Sequence, residues 1–206
     1  MKKIILSVQT IAIVLIITAL VGCKKSTSRT LTSATGSIYE CLVVMNDAPL
    51  TQEQRNEIAK LNLVNEASGY TKPIANLYDL VEAVMAADMP CMPQVEPYFR
   101  LTQVPTAQFD DMFKPTRNIL FVDINPQMYT QVKAKVSNDH WSTPQALCRI
   151  QTPSEEEFVS YWLEHGEEIR EWFVNQEIKR QMKFYRAGTN KQARTILQEE
   201  GYDMLI

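Results

Sequence analysis

The chain has 206 residues, with 24 acidic against 21 basic side chains and a formal net charge of −3. That balance excludes general nucleic-acid binding, which needs a strongly basic face. With 45% hydrophobic residues, the length suits one domain with an ordinary core.

Lys2 and Lys3 precede the apolar block "IAIVLIITALV" at 11–21. A spanning helix wants roughly 20 such residues, whereas a signal-peptide core is shorter. The block ends at Leu20-Val21-Gly22-Cys23, which resembles the lipobox of bacterial lipoproteins. The resemblance implies cleavage after Gly22 and acylation of Cys23, with residues 1–22 removed as a signal peptide. Eight of the fourteen residues 24–37 are Ser or Thr. Residues 23–37 therefore read as an acylated cysteine and a flexible tether, reaching about 20 Å. Lys24 and Lys25 follow the cysteine without an acidic cluster. Lipoproteins of this kind bound for the cell surface carry acidic residues there, so the resemblance implies the periplasmic face of the outer membrane.

Beyond the tether, residues 38–206 form the folded domain. "SIYECLVVM" (37–45) predicts a strand. Thr51-Gln52-Glu53-Gln54 has capping-box form and opens a polar helix through Leu61. Asn76 caps a helix over 76–89 whose Leu77, Leu80, Val81, Val84 and Met85 share a face, with Pro90 and Pro93 as its stop. "EPYFRLTQV" (96–104) predicts a strand, "TAQFDDMF" a helical turn, and "RNILFVDI" (117–124) the central strand. "YTQVKAKVS" (129–137) reads as a half-exposed strand, hairpin partner of "QALCRIQ" (145–151). Ser154-Glu155-Glu156-Glu157 is a second capping box. It opens a long helix with an aromatic stripe to about Arg186, which Gly166 is expected to kink or divide. "NKQARTILQEE" forms a last helix ended by Gly201.

Strands clustered between helices predict an α+β fold, with an antiparallel-rich sheet covered by helices on one face. The nearest arrangement is ferredoxin-like. "GYDMLI" ends within an apolar run that reads as the start of a further strand, so truncation at the C-terminus is expected.

"MPQVEPYFRLTQVP", "RNILFVDI", Trp141 with Pro144-Gln145, and Pro153-Ser154 with its glutamates resemble the lipoproteins of the domain-of-unknown-function 4837 family, typical of Bacteroidetes. The resemblance covers residues from about Ile38 onward, departs at 46–75, and implies no established activity and no catalytic residues.

Candidate chemistry is sparse. His140, beside Asp139 and Trp141, has the residue type for general acid/base work, yet its ordinary reading is a turn residue. His165 sits near the aromatic stripe and reads as a half-buried, hydrogen-bonded side chain. Cys91 is the candidate thiol nucleophile, and Asp123, at a strand end, the best-placed carboxylate. Met89, Cys91 and Met92 supply soft ligands of the kind Cu(I) takes, though gap-filling is the commoner use of methionine. Cys41 and Cys148 could pair only if their strands are neighbours. Lys179, Arg180, Lys183 and Arg186 make a basic helix end that would face water or meet an anionic lipid or polysaccharide. Nucleotide, serine-hydrolase and zinc-protease signatures are absent from the sequence, and no cofactor is implied.

Two functions remain open. One is a lipid-anchored, periplasm-facing binding or scaffolding module, with the membrane through its lipid and an envelope protein or glycan as partners, and Trp141 and Trp172 as contact residues. The alternative is an envelope hydrolase acting on cell-wall or glycan substrates through His140, Asp123 and Cys91.

Overall fold

A computed structural model describes residues 30–61, 72–188 and 190–202. The chain divides into two units, Met1–Thr30 and Leu31–Ile206, and the fold below is that of the second. The expected signal peptide, Cys23 and residues 24–29 of the expected tether lie outside the described residues, as do residues 203–206. The rest of the expected tether is not free, because Thr32–Ser33 pair with Ser142–Thr143 and Thr35 bonds to Pro115 and Arg117. In chain order the elements are β1 (Thr32–Ser33), β2 (Glu40–Val44), α1 (Gln52–Lys60), α2 (Leu77–Met85), β3 (Arg100–Val104), a 3-10 turn (Thr106–Gln108), β4 (Asn118–Ile124), β5 (Lys133–Asn138), β6 (Ser142–Thr143), β7 (Ala146–Thr152), α3 (Glu155–Ala187) and α4 (Lys191–Glu199). No described helix is long and apolar enough to cross a membrane.

The α+β expectation holds, but the sheet directions do not follow it. Five strands run in the order β3-β2-β4-β7-β5. β2 is parallel to β3 and β4, β4 is parallel to β7, and β5 pairs antiparallel with β7. The sheet is thus mostly parallel, and the ferredoxin-like arrangement is replaced by a mixed sheet with one antiparallel edge. The connections explain why. α1 and α2 lie between β2 and β3, and residues 105–117 between β3 and β4 supply about the dozen residues a parallel crossover requires. β1 and β6 form a separate parallel pair.

Helices do cover one face of the sheet, as expected. Met45, Leu120, Cys148 and Ile150 pack there with Leu80 and Val84 of α2 and with Phe158, Trp162 and Phe173 of α3. On the opposite face Leu42, Val44, Ile119 and Leu147 meet Phe109, Phe113, Phe121 and Trp141. β4 is the middle strand and contributes to both clusters, hence its near-continuous apolar sequence.

Local signals set the helix starts. The Thr51–Gln54 capping box is complete, and the Asn76 side chain accepts from the Asp79 amide. α2 ends at Met85, four residues before the expected boundary. Ser154 caps α3, whose first turn carries three glutamates that favour the positive end of the helix dipole. α3 then runs unbroken for 33 residues, about 50 Å, so Gly166 neither divides it nor ends it. Instead a Cβ at position 166 would lie 3.0 Å from the buried Trp162 ring. Glycine is there because the indole occupies the space.

Candidate functional site

Two-thirds of the way along α3, Glu177 is fully buried at the amino ends of the parallel strands. Its carboxylate accepts from Arg117 Nε at 2.8 Å and Nη2 at 2.6 Å, from Asn118 Nδ2 at 2.7 Å, and from Arg180 Nη2 at 2.8 Å. Arg180 also donates to the Asn118 side-chain oxygen and to the Arg117 carbonyl. Asn118 Nδ2 donates in addition to the Glu40 carbonyl, so the cluster ties α3 to the starts of both β2 and β4. Burial pulls the Arg180 guanidinium below its ordinary range, against the attraction of Glu177. Its Nε is buried with no hydrogen-bond partner.

Beside this cluster the β5–β7 connection is held by Gln145, another buried polar side chain. Gln145 Nε2 donates to the Lys114 and Thr116 carbonyls, and its Oε1 accepts from the Trp141 amide. Asp139, at φ 53, accepts from the Gln145 amide. Between this braced loop and α3 lies an open pocket of about 210 Å³ whose lining includes Asp139, Thr143, Gln176, Lys179, Arg180 and Lys183. The braced loop and the hydrogen-bonded Arg180 guanidinium make its fixed walls, and three cationic side chains, Lys179, Arg180 and Lys183, outnumber the one carboxylate of Asp139 in its lining.

A second pocket, about 270 Å³, opens between α1 and the first turns of α3, with Glu53, Glu57 and Glu156 in its lining. No group of three His, Cys, Asp or Glu side chains among the described residues is placed to hold a metal ion.

The residues singled out from the sequence do not gather. His140 is exposed and meets the Trp141 ring edge-on at 4.5 Å, while its neighbour Asp139 is engaged in closing the hairpin. Asp123 accepts from the Tyr129 hydroxyl at 2.5 Å, and Gln151 Nε2 donates to that same hydroxyl. The carboxylate raises the Tyr129 phenol above its ordinary range. Asp123 lies at the carboxyl end of β4, five residues past Asn118, while His140 follows the end of β5 beside the start of β7. That separation is about 16 Å along the sheet, beyond a hydrogen bond or a single bridging water.

Cys91 is exposed at φ 67 in the loop after α2, Met92 is exposed beside it, and Met89 is half-buried with its amide bonded to the Glu96 carbonyl. Trp141 packs on Phe109 and Trp172 on Phe173, both half-buried. His165 is half-buried beside Tyr161 and Glu168, as its position on the helix implies. Cys41 and Cys148 are both free and buried, with β4 between their strands. Two strand spacings are about 9.5 Å, beyond the ~7 Å a disulfide can bridge. Burial pushes the Cys148 thiol up to about 12 and raises that of Cys41 as well.

The sequence reading missed Glu177, and it left Arg180 among residues facing water. Arg117, Asn118 and Gln145 entered the sequence reading only through their strands and the family resemblance, without the structural roles their hydrogen bonds give them. A charged residue on the aromatic side of α3, one helical turn from Arg180, is the signal that would have found Glu177.

Residues 56–186, more than half of the chain, match a family described as a domain of unknown function (DUF8532). No curated protein and no solved structure matches the chain. The chain belongs to that family, DUF8532, a domain of unknown function.

Proposed function

We propose that the chain is a lipid-anchored bacterial envelope protein, held on the periplasmic face of the outer membrane, whose α+β domain is a binding or scaffolding module. The observation that carries the binding part is the pocket between α3 and the β5–β7 loop, a concave surface with a braced loop on one side and an excess of positive charge. Preformed geometry of this kind lowers the ordering cost of association. The location is supported by Leu20-Val21-Gly22-Cys23 and by the resemblance to the 4837 lipoproteins. The hydrolase alternative needs His140, Asp123 and Cys91 in one cleft, and the separation of His140 from Asp123 weighs against it.

Labelled fatty acid and intact mass test the anchor: incorporation that is lost in Cys23→Ser supports it, and an unprocessed, unlabelled wild type refutes it. A photo-crosslinking amino acid at position 138, on the pocket rim, tests the binding part in living cells. A discrete crosslinked envelope component supports the module, and light-independent or equal capture from position 112 refutes it.

A further inference from the structure

We infer that the pocket between α3 and the β5–β7 loop is an oxyanion site, taking a phosphoryl or carboxylate group of a larger envelope molecule; the inference rests on the binding-module reading and names its ligand chemistry. Charge is the first ground. Arg117 and Arg180 share the single carboxylate of Glu177, so these three groups together carry one net positive charge. Lys179 and Lys183 are exposed and form no ion pair among the described residues. Asp139, the acidic group in the lining, attracts Arg180 and offsets one of these charges, so the two lysines carry the positive excess. On a chain whose net charge is −3, this is a local excess of the opposite sign.

Geometry is the second ground. Lys179 and Lys183 lie four residues apart and therefore on one face of α3, both in the lining. Arg180 lies between them in sequence and is fixed by four hydrogen-bond partners, Glu177, the Asn118 side chain, and the Arg117 and Pro144 carbonyls. It therefore acts as a fixed positive wall, and the two mobile ammonium groups make the direct contacts. Size is the third ground. About 210 Å³ is below the roughly 300–1,000 Å³ of pockets that enclose a whole small molecule, so this one fits a terminal charged group and leaves its carrier outside.

The test is calorimetric titration of the full chain in neutral detergent with inorganic phosphate and, separately, glucuronate. Saturable binding of either probe, weakened at least about tenfold in the K179A/K183A double variant and by added salt, supports the site. Which probe binds tells a phosphoryl source from a carboxylate one. Both lysines are exposed, so the variant keeps the wild-type melting temperature and circular dichroism. No saturable binding of either probe, or equal binding by the variant, overturns the inference. A position-138 crosslink without oxyanion binding would overturn this site chemistry and leave the module standing; oxyanion binding without any crosslink would do the reverse.

Discussion

Glu177→Ala is the sharpest perturbation of the fold. The side chain is 0% exposed, and its removal leaves Arg117 and Arg180 facing each other with no carboxylate between them. Breaking a buried ion pair by deleting one partner costs about 3–5 kcal/mol. Arg117 and Arg180 keep 18% and 11% of their side-chain surface, so water reaches them in part and the lower figure, about 3 kcal/mol, applies. That is roughly a hundredfold in the folding equilibrium, and a melting temperature lower by about 6–12 °C for a domain of this size. Urea unfolding followed by circular dichroism measures it. Glu177→Gln keeps one acceptor for Asn118 and Arg180 and should lose about half as much. Replacing Arg117, Glu177 and Arg180 together by Met, Leu and Met removes the charges as a set and should restore most of the loss. A cost below about 1 kcal/mol for Glu177→Ala would refute the reasoning, because it would place the cluster among surface ion pairs.

Gly166→Ala gains about 1 kcal/mol of helix propensity but drives a methyl to 3.0 Å from the buried Trp162 ring. Overpacking of about 1–3 kcal/mol wins, so denaturation should show a net loss. Iodoacetamide at pH 8 should modify Cys91 rapidly in the folded protein and reach Cys41 and Cys148 only on unfolding, as peptide mapping would reveal. Stability should also fall at alkaline pH. The folded Cys148 thiol stands at about 12 against its ordinary 9.0, so its contribution is complete below pH 9 and is lost as pH rises toward 12. Tyr78, held by burial at about 12 against 10.0, adds to the same slope. Chemical denaturation at pH 8, 9.5 and 11 should show the decline, and Cys148→Ala should flatten it.

Helix starts, the central strand and the β5–β7 hairpin were legible because each is written in local chemistry: Thr51, Asn76 and Ser154 are caps whose side chains reach amides three residues away. Strand direction was not legible. "ECLVV" and "RLTQV" look the same run either way, and only the crossover through α1 and α2 makes β2 and β3 parallel. The Cys41–Cys148 question turned on sheet order, which places β4 between them and which no spacing encodes. The site was hidden for a related reason. Arg117 and Glu177 are 60 residues apart and meet only after α3 folds back over the sheet. Gly166 looked like a helix breaker because its neighbour Trp162 is visible in the sequence but the direction of the indole is not.

The central claim is that the domain binds through the α3 pocket and does not act through His140, Asp123 and Cys91. Crosslinking from position 138 in cells should therefore be compared between K179A/K183A and a variant carrying His140→Ala, Asp123→Asn and Cys91→Ala. The account predicts that the lysine variant loses the crosslinked product while the triple variant retains it at wild-type yield. Retention in the lysine variant with loss in the triple variant would contradict it.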